Sequence, residues 1–240
     1  VSSGLGILAV AQTAKQHNVK ILLSGDGADE LFGGYSWYRD LGHSNLHGTV
    51  SASEQVVSYQ NLNLSAEEIL SHMAGFSAEK KAWAWHYYAA EEEKAGLFNR
   101  EVFEQTKTSL RHFTNYKSAG QWLPDDFVQH DRTFYLPFEM MCKLDRMTMA
   151  FSVEARAPFV APEVLALCEH LKYEHMVDGE MLKPLLRKAF GDMLPPLVTK
   201  RPKHGFNVPI DHWLKEGWYD MVVAMLAPSS ALNRLQLLSA

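Results

Sequence analysis

The stretch VKILLSGDGADELFGGY, residues 19–35, decides the fold class. Its first five residues, 19–23, are apolar and partly β-branched, follow a punctuating Asn18 and end at Ser24-Gly25, which is the pattern of a short strand. Upstream, Ser2 and Ser3 precede the apolar-periodic residues Leu5, Ile7, Leu8, Val10, Ala11 and Ala14, a helix with serine at its start that runs to about residue 17. A helix feeding a buried strand is the unit of an α/β sheet with a parallel core. After the strand come four glycines in twelve residues, and from Asp29 onward the chain can be helical again.

Farther out the chain divides in three. Residues 1–40 carry the strand and the glycine-rich loop. Residues 41–130 are variable in character: 41–64 are rich in Ser, Asn, Gly, His and Gln, and 65–111 turn helical from a capping-box-like Ser65-Ala66-Glu67-Glu68. Trp83, Trp85, His86, Tyr87 and Tyr88 cluster there, read as packing between helices or as a stacking surface for a ligand. Residues 131–240 form a large, mostly helical part, with helices expected over 131–152 (broken near Pro137), 162–171, 183–190 and 209–215.

Composition narrows the classes. The chain has 240 residues, 47% of them apolar, and 23 Lys plus Arg against 28 Asp plus Glu give a net charge of −5. That balance argues against a general nucleic-acid binder, and no stretch approaches the ~18 consecutive apolar residues of a membrane helix. Cys142 and Cys168 are too few for a disulfide framework and lie in no zinc-like spacing, which fits a soluble protein of the reducing cytoplasm. His43 and His47 have i,i+4 spacing but lack the glutamate of HExxH.

Three motifs can carry chemistry. In Gly25-Asp26-Gly27 both glycines can take positive φ, so the turn is either a plain tight turn or a place where an anionic ligand approaches the backbone. Asp26, Asp29 and Glu30 put three carboxylates within five residues, which suits Mg²⁺ shared with substrate phosphates, or simply caps a helix. In LPFEMMCKLDRMTMAFSVEARAPF, residues 136–159, Asp145, Arg146, Glu154 and Arg156 can make two ion pairs that orient helices around a cleft, and the methionines read as core filler. In residues 194–206, Lys200, Arg201, Lys203 and His204 form a basic loop, either solvated or gripping a phosphate.

The strings SGDGADELFGGY, LDRMTMAFSVEARAPF and KPLLRKAFGDMLPPLVTKRPKHGF, in that order, resemble the synthetase domain of the asparagine synthase family, with good matching over about residues 1–40 and 131–216. The resemblance implies an adenine nucleotide alpha hydrolase-like, Rossmann-like α/β fold with an incomplete parallel sheet. It implies ATP and Mg²⁺ as cofactors, aspartate or a similar carboxylate as substrate, and ammonia delivered from a glutamine-hydrolysing domain to an acyl-adenylate. Under it, Ser24, Gly25 and Gly27 contact the nucleotide, Asp29 is the Mg²⁺-pyrophosphate ligand, and Lys203 holds the phosphate during adenylation. Asp26 stands where asparagine-forming relatives often have Glu, and handles the proton of incoming ammonia or the substrate side of the site. Glu30 is read as structural, and Asp145, Arg146, Glu154 and Arg156 as shaping the cleft.

Departures from the family pattern matter too. Neither an SGGxDS pyrophosphate loop nor the amino-terminal cysteine of a glutaminase domain is found, so the chain reads as the carboxyl-terminal part of a longer synthetase, with the amino-terminal glutaminase domain as its partner. A homodimer stays open. So do two other readings: an adenylating relative that acts on a β-lactam, sugar or peptide substrate, and a non-catalytic helical module.

Overall fold

The computed structural model describes residues 3–35, 38, 91–106, 123–199 and 208–238. They belong to two compact units, residues 1–46 with 121–208 and residues 47–120 with 209–240. The architecture is α/β and mostly helical, with a small parallel sheet in the first unit.

Helix α1, Ser3–Gln16, buries Gly4, Ala11 and Ala14. These small residues form one stripe at helical spacing and let a neighbouring helix approach closely; the larger Val10 on the other side is half exposed. The helix ends where Asn18 turns left-handed (φ 58°), with Asn18 N–H donating to Lys15 O at 3.1 Å and Val19 N–H to Ala14 O at 2.8 Å. This is a Schellman turn, and it delivers the chain into strand β1, Ile21–Leu23. Helix α2, Ala28–Phe32, follows the glycine-rich turn.

Helix α3, Pro124–His130, runs without a break through an i→i+5-bonded segment, Asp131–Met141, into helix α4, Cys142–Met149. The expected break near Pro137 is absent. A wide π-type winding accommodates the missing N–H and the ring of the proline inside the helical run. The helix also ends earlier than the expected residue 152. Ser152 is left-handed (φ 57°), Ser152 N–H donates to Met149 O at 2.9 Å and Val153 N–H to Thr148 O at 3.2 Å, a second Schellman turn. Val153 is fully buried, and strand β2, Glu154–Arg156, begins at once.

Strands β1 and β2 therefore leave two equivalent helix ends and pair in parallel, Ile21 with Glu154 and Leu23 with Arg156. The expected buried strand is corrected here: Leu23 is 77% exposed, because the face it shares with Ile21, Glu154 and Arg156 is uncovered. Helix α5, Pro162–Cys168, a hairpin of β3, Val177–Asp178, and β4, Met181–Leu182, and helix α6, Pro184–Phe190, complete the unit. Its core gathers Leu31, Phe32, Leu136 and Cys168, with Met140, Met141, Phe159 and Leu186 packed around them. Met140 and Met141 are core filler, as expected, whereas Met149 is exposed.

In the second unit the helices Glu91–Leu97 and Arg100–Gln105 are separated by Asn99, whose side chain accepts from Glu101 N–H, and Phe98 bridges to Leu238. Helices Ile210–Lys215, Tyr219–Leu226 and Ala231–Arg234 follow, with Trp213 and Trp218 in contact. No helix among the described residues is long and apolar enough to cross a membrane. The aromatic cluster at residues 83–88, the His43/His47 pair and the basic loop 200–204 lie outside the described residues.

Candidate functional site

The glycine-rich turn sits at the carboxyl end of β1, the edge at which open α/β sheets bind ligands. Ser24 N–H is held by Arg156 O at 2.8 Å, which extends the parallel ladder by one bond, so any backbone contact from Ser24 to a ligand falls to other groups. Ser24 Oγ donates to the carboxylate of Asp26, and Asp26 N–H donates back to Ser24 Oγ at 3.3 Å.

The two glycines of the turn differ. Gly27 has φ 90° at the start of α2, and a Cβ there would lie 2.8 Å from Val160 Cγ1. Gly25 does not have the positive φ expected of it. Apart from its chain neighbours, no heavy atom of the described residues lies within 4 Å of where its Cβ would be, so among those residues nothing covers it.

The three acids do not gather into one cage. Each has a partner of its own: Asp26 the hydroxyl of Ser24, Asp29 the ammonium of Lys183 at 2.7 Å, and Glu30 the hydroxyl of Tyr35 at 2.5 Å. This separation relieves the repulsion that three adjacent carboxylates would otherwise suffer. Among the described residues there is no group of three or more His, Cys, Asp or Glu able to hold a metal. Asp29 remains partly exposed, at 22%, and Mg²⁺ needs only one or two protein carboxylates when phosphates supply the rest.

Glu30 points the other way, into the interior, with 1% exposure. Burial raises its pKa, opposed by the Tyr35 hydrogen bond and reinforced by nearby Asp29 and Asp131. Beside it Tyr38 donates to Asp131, and Tyr173 donates to Tyr38 O at 2.5 Å.

Sequence reasoning missed two residues. Lys183 is left-handed (φ 54°), its N–H donates to Gly33 O at 3.0 Å, and its side chain crosses Gly34 to reach Asp29. The signal lay in the paired glycines, since a Cβ on Gly34 would fall 1.7 Å from Asp29 Oδ1 and 2.2 Å from Lys183 Cε. Arg132 is the other. Its guanidinium donates to Leu31 O at 3.1 Å and Glu30 O at 3.4 Å, and to Cys168 O at 3.0 Å and Leu171 O at 2.9 Å. It thus ties the end of α2, which carries Asp29, to the end of α5, and burial lowers its pKa. No sequence motif marks it.

Glu154 and Arg156 form an ion pair at 2.8 Å, both more than half exposed. They do not orient helices, as their reading in a helical pattern suggested. They lie two apart on one face of β2. Asp145 and Arg146 form no ion pair with each other among the described residues, and Lys203 lies outside those residues.

This geometry at a strand's carboxyl end accompanies a match of the asparagine synthase family model to residues 1–240, the whole chain. The chain belongs to the asparagine synthase family. It is 35% identical over 218 residues to a protein of Mycobacterium bovis named putative asparagine synthetase [glutamine-hydrolyzing], covering 87% of this chain and 32% of that protein. It is 30% identical over 224 residues to asparagine synthetase [glutamine-hydrolyzing] 1 of Bacillus subtilis, covering 86% of this chain and 33% of that protein. The chain thus spans about a third of the length of these relatives. No solved structure matches it. Within the family-matched chain, the first and second motifs meet physically: SGDGADELFGGY follows directly on β1 and supplies α2, SVEARAPF supplies the strand that pairs with β1, and the bond from Ser24 N–H to Arg156 O joins the two motifs.

Proposed function

We propose that this chain forms part of an ATP-dependent amide synthetase that makes asparagine from aspartate, ATP and glutamine-derived ammonia. The observation that carries the reading is the Asp29–Lys183 ion pair laid over Gly34 beside the open turn at Gly25. It combines a carboxylate for a metal, an ammonium for phosphate and an uncovered backbone for the nucleotide. The parallel pair β1–β2 is then part of an adenine nucleotide alpha hydrolase-like sheet. In this reading residues 1–40 carry the strand and nucleotide-site loop, 41–130 form a variable helical region, and 131–240 are a helical part that carries the second and third motifs.

In the first step an oxygen of the substrate's side-chain carboxylate attacks the α-phosphorus of ATP. The bond from that phosphorus to the bridging oxygen breaks, pyrophosphate leaves, and an acyl-adenylate remains. In the second, the nitrogen of ammonia attacks the acyl carbon, the bond to the AMP oxygen breaks, and a proton leaves nitrogen. Asp26 accepts from Ser24 through one carboxylate oxygen and keeps the other for that proton. Gly25 and Gly27, with Ser24, receive the nucleotide; Lys203 and Lys183 offset phosphate charge. Mg²⁺, held by Asp29 with the ligand's phosphates, would neutralise charge on the leaving pyrophosphate.

The free thiols of Cys142 and Cys168 support a reducing, cytoplasmic setting. The amino-terminal glutaminase domain of the family is the source of ammonia in this reading. The test is ATP–pyrophosphate exchange by the whole protein that contains this chain, with aspartate and Mg²⁺. Exchange that requires aspartate and is abolished by Lys203→Ala is the expected result. Exchange unaltered in that variant overturns the role of Lys203, and exchange driven by other carboxylic acids but not aspartate overturns the substrate.

A further inference from the structure

Lys143 is an unusual lysine. It is 8% exposed, yet its ammonium meets Ser3 Oγ at 3.0 Å and Met140 Sδ at 3.1 Å, and no carboxylate among the described residues pairs with it. A buried ammonium is costly unless an anion accompanies it. A hydroxyl and a thioether are weak company, and one of its three N–H donors has no acceptor among the described residues.

Its place in the fold says where an anion would come from. Helix α4 turns tightly through Ser152 into β2 and packs back against that strand. From Lys143 to Met149 the helix rises about 9 Å, and from Val153 to Arg156 the strand rises about 10 Å. Lys143 therefore stands level with Arg156, whose carbonyl accepts from Ser24 N–H at the candidate site.

The first turn of α1 faces the same ammonium through Ser3. That helix has fourteen residues and no acid in its first turn, so no carboxylate of that turn offsets the positive end of its dipole. Gly4 and Gly6 leave the first turn without β-carbons at two positions, although glycine costs a helix about 1 kcal/mol relative to alanine. Packing does not demand it at Gly4, where a Cβ would make ordinary contact with Met147 Sδ at 3.6 Å.

Resting on the amide-synthetase reading above, we propose that Lys143, Ser3 and the first turn of α1 bind the second carboxylate of the substrate, the one that is not adenylated. One buried ammonium matches one monoanion. Polyphosphate, with its several charges, calls for more than one cation, and Lys183 already stands at the turn. The Ser3 hydroxyl, which accepts from Lys143, keeps its own O–H to donate to the incoming carboxylate.

The test is the exchange assay on the whole protein with Lys143→Met and Lys143→Arg. Lys143→Met is expected to raise KM for aspartate at least 10-fold, leave KM for ATP within twofold, and erode the preference for aspartate over β-alanine, which lacks the second carboxylate. Lys143→Arg, which keeps the charge, is expected to retain part of that preference. The melting temperature of Lys143→Met is expected to hold or rise, because no ion pair is broken. An unchanged aspartate KM overturns the proposal, and so does an equal rise in KM for ATP, which would make the site one for phosphate. A direct arm separates this failure from failure of the synthetase reading: acetylation of Lys143 in the 240-residue chain, followed by mass spectrometry with and without succinate. Protection by succinate in a protein inert toward aspartate and ATP keeps the carboxylate site and removes the synthetase reading; no protection removes the site.

Discussion

Gly33 and Gly34 are neighbours in sequence, but alanine at each should produce opposite lesions. Gly33 has φ 77°, and a Cβ there would lie 2.2 Å from Met176 O and 2.6 Å from Met176 Cβ. Left-handed backbone costs a non-glycine residue about 1–2 kcal/mol, and forcing apart a fixed backbone adds about 1–3 kcal/mol. Gly33→Ala should therefore lose about 2–5 kcal/mol, a fall of about 5–15 °C in melting temperature for a unit of this size. At Gly34 the backbone is unstrained and the clash is with side-chain ends: Asp29 Oδ1 at 1.7 Å and Lys183 Cε at 2.2 Å, where ordinary contact begins at 3.4 Å. These groups can swing away at a cost of about 1 kcal/mol or less, since the pair is partly exposed. The carboxylate must move by more than an ångström, and a misplacement of that size costs about 100-fold in rate. The assays are urea or thermal denaturation and ATP–pyrophosphate exchange. Gly34→Ala with normal exchange would refute the placement of Asp29 and Lys183 in the site. Equal stability losses in the two variants would refute the distinction between backbone and side-chain obstruction.

Two further outcomes follow from the interior of the same unit. Glu30 has its pKa raised above 4.5 in the folded protein, so the folded state holds its proton more tightly than the unfolded state. Its contribution to stability is complete below pH 4.5 and is lost as pH rises through the raised folded value. Glu30→Gln keeps an acceptor for Tyr35 and removes the titration, so the urea midpoint of the wild type should fall relative to the variant over that interval, and parallel curves would count against the buried carboxyl. Arg132→Lys should cost about 2–4 kcal/mol in urea denaturation despite keeping the charge, because one ammonium cannot serve carbonyls at the ends of two helices; near-normal stability would refute the clamp.

The strand expected over 19–23 and found at Ile21–Leu23 was legible because its start and stop are both written locally, Asn18 as a left-handed cap and Ser24-Gly25 as a turn. The second strand was not. SVEAR is short, charged and half exposed, and it follows a good helical pattern, so periodicity carried the helix three residues too far. The same signal was nonetheless present twice: a small polar residue that tolerates left-handed backbone, Asn18 or Ser152, followed by Val19 or Val153. Only pairing across more than a hundred residues turns the second copy into a strand, and local propensity does not encode it. Pro137 misled in the opposite direction, since a wide helical turn absorbs what a tight one cannot.

Among the described residues the three carboxylates at the turn were legible and the cation that pairs with Asp29 was hidden. A cluster such as Asp26, Asp29 and Glu30 announces itself because three charges in five residues demand explanation. The partners that resolve it come from elsewhere, Lys183 from the end of a hairpin and Tyr35 from beyond α2. Lys183 looked like an ordinary helical lysine before Pro184. Its left-handed backbone places it outside α6, and that single dihedral choice turns its side chain toward Asp29 rather than solvent. The glycines at 33 and 34 are the complementary statement in sequence: one admits the backbone of Met176, the other admits the meeting of Asp29 with Lys183. A motif such as FGGY thus reads as a turn when taken alone. With both approaching groups in place it is a requirement for two β-carbons to be absent, and Gly34→Ala tests whether the second, where Asp29 meets Lys183, serves the proposed chemistry.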